Sequence, residues 1–234
     1  MSQMRLDLHN HTSFSGDGVM TPGELLDAAR ARGIGCIAVT DHNTVRGALQ
    51  ALALSEADRS LPRVIPGIEL ATQAGEVIGL FIEEDIRSGL SLNEAVGSIR
   101  SRGGLVYLPH PYDVFRHGAV SRGARATAAE LSDIVEVVNG RSLGPVAAGK
   151  AAGLAGQHGK PRGAGSDAHH RMEVGRAYVV VKEQPSRDTL VELVASGSVE
   201  HGLRCWDYAL NWAMQALAPL TRIWRSMTGS LPER

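Results

Sequence analysis

The chain has 234 residues, enough for one sizeable core, and its 24 Lys plus Arg balance 25 Asp plus Glu to a formal net charge of −1. No global field therefore draws it to nucleic acid or to an anionic membrane, and a polyanionic substrate must be attracted locally. Glycine is abundant at 27 residues and aromatics make up only 4%, which suits an α/β protein with many tight turns better than a β sandwich.

Cys36 and Cys205 lie far apart in no CxxC spacing, so the sequence indicates neither a disulfide framework nor a thiolate zinc site. The first residues show no charged head followed by an apolar run and a small-residue cleavage site, and no stretch of about 18 apolar residues occurs. A cytoplasmic protein is the expectation.

In chain order, short apolar runs bounded by Gly, Pro or polar clusters predict strands at 4–8, 34–40, 64–70, 77–82, 105–108, 134–138 and 162–165. Between most of them the hydrophobic period is helical. Thr21, Pro22 and Glu24 predict a capping box opening a helix whose buried face is Leu25, Leu26, Ala29 and Ala31. Ser91 and Glu94 repeat that signal before Ala95, Val96 and Ile99, and Gly103-Gly104 ends the second helix. Residues 116–129 are polar and rich in Arg, Gly and Ala, which predicts a long loop over the mouth. The alternation reads as βα repeated about seven times, a parallel barrel.

The barrel is placed at residues 1–202, as a single domain, and an amphipathic helical tail at 203–234. In the tail Trp206, Leu210, Ala213, Met214, Leu217, Ile223 and Trp224 recur at helical spacing, interrupted by Pro219 and flanked by Arg204, Arg222 and Arg225. Three readings stay open for it: packing on the barrel's own surface, self-association into a homo-oligomer, or peripheral contact with a membrane.

Almost every predicted strand ends in a residue that can ligate a metal. The first ends Asp7-Leu8-His9-Asn10-His11, where alternation by two aims both imidazoles to one side, and Asp17 follows in the next loop. Other strands end Thr40-Asp41-His42, Gly67-Ile68-Glu69, Leu108-Pro109-His110 and Gly165-Ser166-Asp167-Ala168-His169. Any one of these alone reads as a surface or core histidine, or as a turn aspartate. Together they converge on the C-terminal mouth of a parallel barrel, where barrel enzymes hold their active sites. Histidine nitrogen combined with carboxylate oxygen suits Zn, Mn or Fe better than Ca.

The segments HNHTSFSGDG, TDHN, GIEL, HPYD and GSDAH resemble the PHP family, named for polymerase and histidinol phosphatase domains, over nearly all of residues 4–200. The resemblance implies a distorted (β/α)7 TIM-like barrel holding two or three divalent metal ions that hydrolyse phosphoesters. It assigns His9, His11, Glu69 and Asp167 to one metal, Asp17, His42 and His169 to a second, and a third to Glu69 as a bridge with His110. Where family members often carry a further histidine on the fourth strand, this chain has Glu76; a carboxylate can also ligate Zn or Mn.

Two cations side by side lower the pKa of a shared water toward neutrality and stabilise an in-line displacement at phosphorus, so no protein nucleophile is required. Neither a GxSxG elbow nor a P-loop occurs. The mouth loops offer Arg46, Arg116, His117, Arg141 and Arg171 as phosphate partners, with Arg116 and Arg141 first because they follow HPYD and Val-Asn-Gly. Asp41 is expected to orient His42 or a neighbouring imidazole, while His158, His170 and His201 are expected at the surface.

A small phosphorylated metabolite or nucleotide is the expected substrate, with no stable nucleic-acid partner. Two alternatives remain: carbon–nitrogen hydrolysis of the amidohydrolase type, although no lysine falls at a strand end, and a non-catalytic metal-binding module.

Overall fold

The computed structural model describes residues 3–113, 118–142 and 145–201. The tail, Arg116 and His117 lie outside the described residues. Nine strands are described: β1 (Met4–Asp7), β2 (Ile34–Val39), β3 (Arg63–Thr72), β4 (Gly75–Leu80), β5 (Leu105–Leu108), β6 (Ile134–Asn139), β7 (Arg162–Gly165), β8 (Ala177–Val181) and β9 (Ser198–His201). Six helices accompany them: α1 (Pro22–Ala31), α2 (Arg46–Ala57), α3 (Leu92–Ser101), α4 (Arg125–Leu131), α5 (Pro145–Gln157) and α6 (Leu190–Ser196).

The strands form one sheet in the order β7-β6-β5-β4-β3-β2-β1-β8-β9. It curls until β1 meets β7: Leu8 N donates to Ala164 O at 3.2 Å, Asp167 N to His9 O at 2.7 Å and His11 N to Ala168 O at 3.0 Å. The fold is thus α/β, a distorted (β/α)7 barrel of the TIM-like kind. Gly165 makes the closure possible, since a Cβ there would collide with the His9 side chain.

The distortion lies in β4. It pairs antiparallel with both β3 and β5, so the βα alternation breaks here and no helix separates the third and fourth strands. Thr72 pairs with Gly75 across Gln73-Ala74, a hairpin turn that leaves no room for a crossover. Because β4 runs the other way, its start, not its end, lies at the mouth. Two strands beyond the predicted seven, β8 and β9, continue the sheet antiparallel from β1.

Both predicted capping boxes form: Thr21 and Ser91 accept from the backbones of Glu24 and Glu94, whose carboxylates bond back. Leu25, Leu26 and Ala29 are buried as expected, but Ala31 is exposed and Pro22 and Ala28 complete the face instead. Truncating Leu25, fully buried, to Ala would cost about 2–5 kcal/mol. The predicted loop at 116–129 is corrected in its second half, where α4 begins at Arg125 and buries Ala128 and Ala129.

Leu6 and Leu8 join a buried apolar cluster with Leu190, Leu193 and Val194 of α6. Alternation then turns Asp7 and His9 to the opposite side, into the barrel. Among the described residues no helix is long and apolar enough to cross a membrane.

Candidate metal centre

At the mouth, β1 delivers two imidazoles to one point. His9 Nε2 and His11 Nε2 are 3.1 Å apart and both residues are fully buried. Glu69, from β3, faces them with one oxygen each, Oε1 at 3.4 Å from His9 Nε2 and Oε2 at 3.3 Å from His11 Nε2. The same two oxygens meet two more histidines: His110 Nε2 lies 3.1 Å from Oε1 and His42 Nδ1 3.1 Å from Oε2. Glu69 is only 1% exposed. Asp167 Oδ1 is 3.4 Å from His11 Nε2 and 3.8 Å from His9 Nε2.

The rest of the cluster is nearer to solvent. Asp17 Oδ2 is 3.3 Å from His169 Nε2, and its Oδ1 is 3.8 Å from His42 Nε2. Glu76, at the start of β4, is 3.9 Å from His42 Nδ1 and 3.8 Å from His110 Nε2. It is not the exposed edge charge that a parallel β4 would have made it. Its amide donates to Gly118 O at 2.7 Å, and a Cβ on Gly118 would strike the Glu76 carboxylate.

His110 and Asp167 adopt positive φ, 26° and 53°. Such non-glycine backbone costs on the order of 1–3 kcal/mol and survives where surrounding bonds fix it. Here the bonds come from Glu136 and Asn139, which the sequence reading missed. Glu136, fully buried, receives the His110 amide at 2.7 Å, His9 Nδ1 at 3.2 Å, Tyr107 OH at 3.1 Å and Asn139 Nδ2 at 3.0 Å. Asn139 Nδ2 also donates to Asp167 Oδ2 at 3.0 Å. The proton of His9 is thereby held on Nδ1, leaving Nε2 free to ligate. Beneath them, Asp7 accepts from the Ser166 amide at 2.9 Å and the Ser166 hydroxyl at 2.5 Å, tying β1 to β7 directly below the ligands. Burial raises the Asp7 carboxyl to about 6 despite these bonds.

Asp41 does not touch the cluster. It accepts from Thr12 N, Thr12 Oγ1 and Ser15 Oγ, each at 2.7 Å, and Ser15 Oγ accepts from the His42 amide at 3.1 Å and faces His11 Nδ1 at 2.9 Å. Asp41 thus orients the neighbouring imidazole, that of His11, through one hydroxyl.

Arg141 follows Asn139 and reaches into the mouth. Its Nη1 lies 2.8 Å from His169 Nδ1 and 3.9 Å from Asp167 Oδ1, and its Nε is 3.5 Å from Glu173 Oε1. Glu173, another residue without a sequence signal, is buried, accepts the His169 amide at 2.9 Å and faces His170 at 3.3 Å. His170 is therefore half-buried and paired rather than a plain surface residue. His201 is exposed and His158 half-buried. Arg46 stacks over Phe14 at 5.1 Å, and Arg171 shows no contact with the cluster.

The electrostatics fit cation binding. Burial lowers the pKa of both His9 and His42, but Glu69 with Glu136 raises His9 to about 10, and Glu69 with Asp17 raises His42 to about 9. Without metal, two protons therefore stand where positive charge is required. Burial and the neighbouring His169 and His42 push His11 well below the usual range, and burial with the Arg141 charge brings His169 to about 4. Glu69 is held below the carboxylate range by His9 and three imidazole contacts, which overcome its burial; Glu76 is raised by burial and by the Glu69 charge. The donor sets His9/His11/Glu69, His9/His110/Asp167, His11/His42/His169 and His42/Glu69/Glu76 each gather three ligand atoms within 4.8 Å of one another, matching the mixed histidine and carboxylate shells of zinc, manganese or iron.

Comparison with known proteins agrees. The PHP domain family matches residues 7–211. An uncharacterized protein of Methanocaldococcus jannaschii is 34% identical over 183 residues, 77% of this chain and 71% of that one. A 3′,5′-nucleoside bisphosphate phosphatase of Chromobacterium violaceum is 37% identical over 82 residues, 33% of this chain and 28% of its own length. Among solved structures, a two-domain protein of Bacteroides vulgatus, described as containing a predicted PHP-like metal-dependent phosphoesterase, superposes with a TM-score of 0.67 at 17% identity over 91% of this chain and 70% of that chain. With most of its length matched, and a His/carboxylate cluster able to hold metal at the barrel mouth, the chain belongs to the PHP domain family.

Proposed function

We propose that the protein hydrolyses phosphate esters of small molecules at a centre of two or three divalent metal ions. The observation that carries this reading is Glu69, one buried carboxylate whose two oxygens face four imidazole nitrogens at 3.1–3.4 Å, the arrangement a bridging ligand needs. His9, His11 and Asp167 would hold a cation beside it, Asp17, His42 and His169 a second, and His110 with Glu76 a third. Bound cations would supply Lewis acidity toward the phosphoryl oxygens and an acidified water.

The chain's own residues divide the remaining work. Arg141, anchored by Glu173, presents a guanidinium at the mouth with the planar donors that grip a phosphate. Glu136 and Asn139 keep three ligands in place before any cation arrives. Against the amidohydrolase alternative, no lysine joins the cluster: Lys160 donates to Glu130 O at 2.8 Å, and Lys150 and Lys182 line other cavities.

The test is a phosphate-release screen over sugar phosphates, nucleotides and histidinol phosphate, with protein loaded separately with Zn, Mn and Fe. Turnover of at least one ester that disappears in the Glu69→Gln variant is the expected result. Metal-loaded protein that releases phosphate from none of them would overturn the reading.

A further inference from the structure

Beside the metal cluster lies a cavity of about 830 Å³ bordered by Tyr112, Asp113, α4 and α5, within the size range of small-molecule sites. Its nearness follows from the chain: Tyr112 is two residues from His110, at most about 7 Å of extended backbone. The Ser142 hydroxyl, next to Arg141, donates to Asp113 Oδ2 at 3.1 Å. This bond links a residue lining the cavity to the segment that carries Arg141.

Three cations line the cavity, Arg122, Arg125 and Lys150. No hydrogen bond or ion pair engages any of them among the described residues. Arg125 lies over the Tyr112 ring at 4.6 Å, and its Nε is shielded from solvent without an acceptor. The one acidic lining residue, Asp113, is buried and receives Ser142. Of the cations at the two cavities at the opposite end of the barrel, Arg5 donates to Arg32 O at 3.0 Å and Lys160 to Glu130 O, and neither cavity gathers more than one cation without such a bond among the described residues. Three unspent cations around one hollow, one stacked on tyrosine with a buried donor to satisfy, make a site for an anion.

We propose that this cavity is a second anion-binding site that takes a phosphate group. The group has two sources: the far phosphate of a molecule whose ester is cut at the cluster, or a separate phosphorylated molecule. Only the first source rests on the phosphoesterase reading above.

The test begins with equilibrium dialysis of inorganic phosphate against the full, metal-loaded chain. About two phosphates per chain are expected for the wild type and about one for Arg125→Ala/Lys150→Ala, with metal content unchanged. Lys150→Ala alone, an exposed change that leaves folding intact, is expected to weaken the second phosphate roughly tenfold. Equal stoichiometry and affinity in all three proteins would overturn the site.

Kinetics with ribose 5-phosphate and ribose 1,5-bisphosphate then separate the sources. A KM raised roughly tenfold or more for the bisphosphate alone assigns the cavity to the substrate's far phosphate. Unchanged KM values for both, with the second phosphate lost in dialysis, assign it to a separate molecule. A KM raised equally for both would mean a diffuse field on the cluster and would overturn a discrete site. If neither ester is turned over, the far-phosphate source is ruled out for ribose phosphates, dialysis still decides the cavity, and the phosphoesterase reading is decided separately by the wider screen above.

Discussion

The two halves of the cluster are built differently. His9, His110 and Asp167 form an inner half, no more than 4% exposed, and each is bonded from behind to Glu136 or Asn139. Asp17, His42 and Glu76 form an outer half whose side chains are 29%, 27% and 18% exposed; they come from a loop, a strand exit and a reversed strand. The inner half is preorganised, with its tautomer and backbone fixed from behind. The outer half is where solvent, substrate and an exchangeable cation can enter. Glu69 serves both, its Oε1 facing His9 and His110 and its Oε2 facing His42.

That contrast can be broken most severely at Glu69. Glu69→Gln removes the charge shared by four histidines, so elemental analysis after gel filtration should find less than one equivalent of metal. The loss of turnover should exceed the roughly 10–100-fold typical of supporting residues. Metal content equal to that of Glu76→Gln would mean that the halves do not share a bridge.

Next in size is a pH effect on metal binding. In the metal-free protein His9 titrates at about 10 and His42 at about 9, so both carry protons at pH 7 and a cation must displace them. With one proton displaced at each of the two cations, the apparent affinity of each should rise by roughly one power of ten per pH unit from 6.5 to 8, and fall with acid by the same slope. Calorimetric titration in two buffers of different protonation enthalpy should count about two protons released per chain. Fewer than one would show that the two halves are not both charged before loading.

Glu136→Gln should weaken the inner half alone. All four groups facing Glu136 are donors, so either orientation of the new amide sets an NH2 group against a donor. A metal affinity lowered roughly 10–100-fold is expected, with one class of site affected in a competition titration. Glu76→Gln should instead cost only the weakest cation, roughly tenfold or less; a larger effect than at Glu136 would reverse the assignment of the halves.

Much of this was legible because metal ligands cluster in short motifs at strand ends. HNH, TDH, GIE, HP and GSDAH each place a ligand where an apolar run stops. What escaped was directional or distant. The apolar run at 77–82 looks the same read up or down, and only the two residues between Thr72 and Gly75 betray the hairpin that turns Glu76 toward the mouth. The Val-rich β8 carried a strand signal that the count of seven left out. Glu136 announced itself faintly, as a charge inside Ile134-Val135-Glu136-Val137-Val138, since a carboxylate is placed in a buried strand only when it has partners. Glu173 had no signal: local pairs with His170 and Arg176 read as ordinary surface charges, and Arg141, which ties it to the site, meets it only through the fold.

The smallest expected effect lies where the halves meet, at Ser15. Its hydroxyl donates to Asp41 at 2.7 Å and is then available as acceptor for the His42 amide and for His11 Nδ1–H. With the proton on Nδ1, His11 offers Nε2 to the cluster. Ser15→Ala removes that acceptor but leaves Glu69 and Asp167 facing Nε2, so His11 keeps its position while losing the bond that fixes its tautomer. A net hydrogen bond is worth about 0.5–1.5 kcal/mol, so metal affinity should fall roughly two- to tenfold. Ser15→Thr, which restores a hydroxyl, should recover it. NMR of the His11 ring nitrogens in zinc-loaded protein gives the independent readout: a mixture of tautomers in the alanine variant and one in the wild type and threonine variant. An alanine variant with one tautomer and unchanged affinity would show that the metal alone orients His11, and that the relay from Asp41 serves only the backbone at His42.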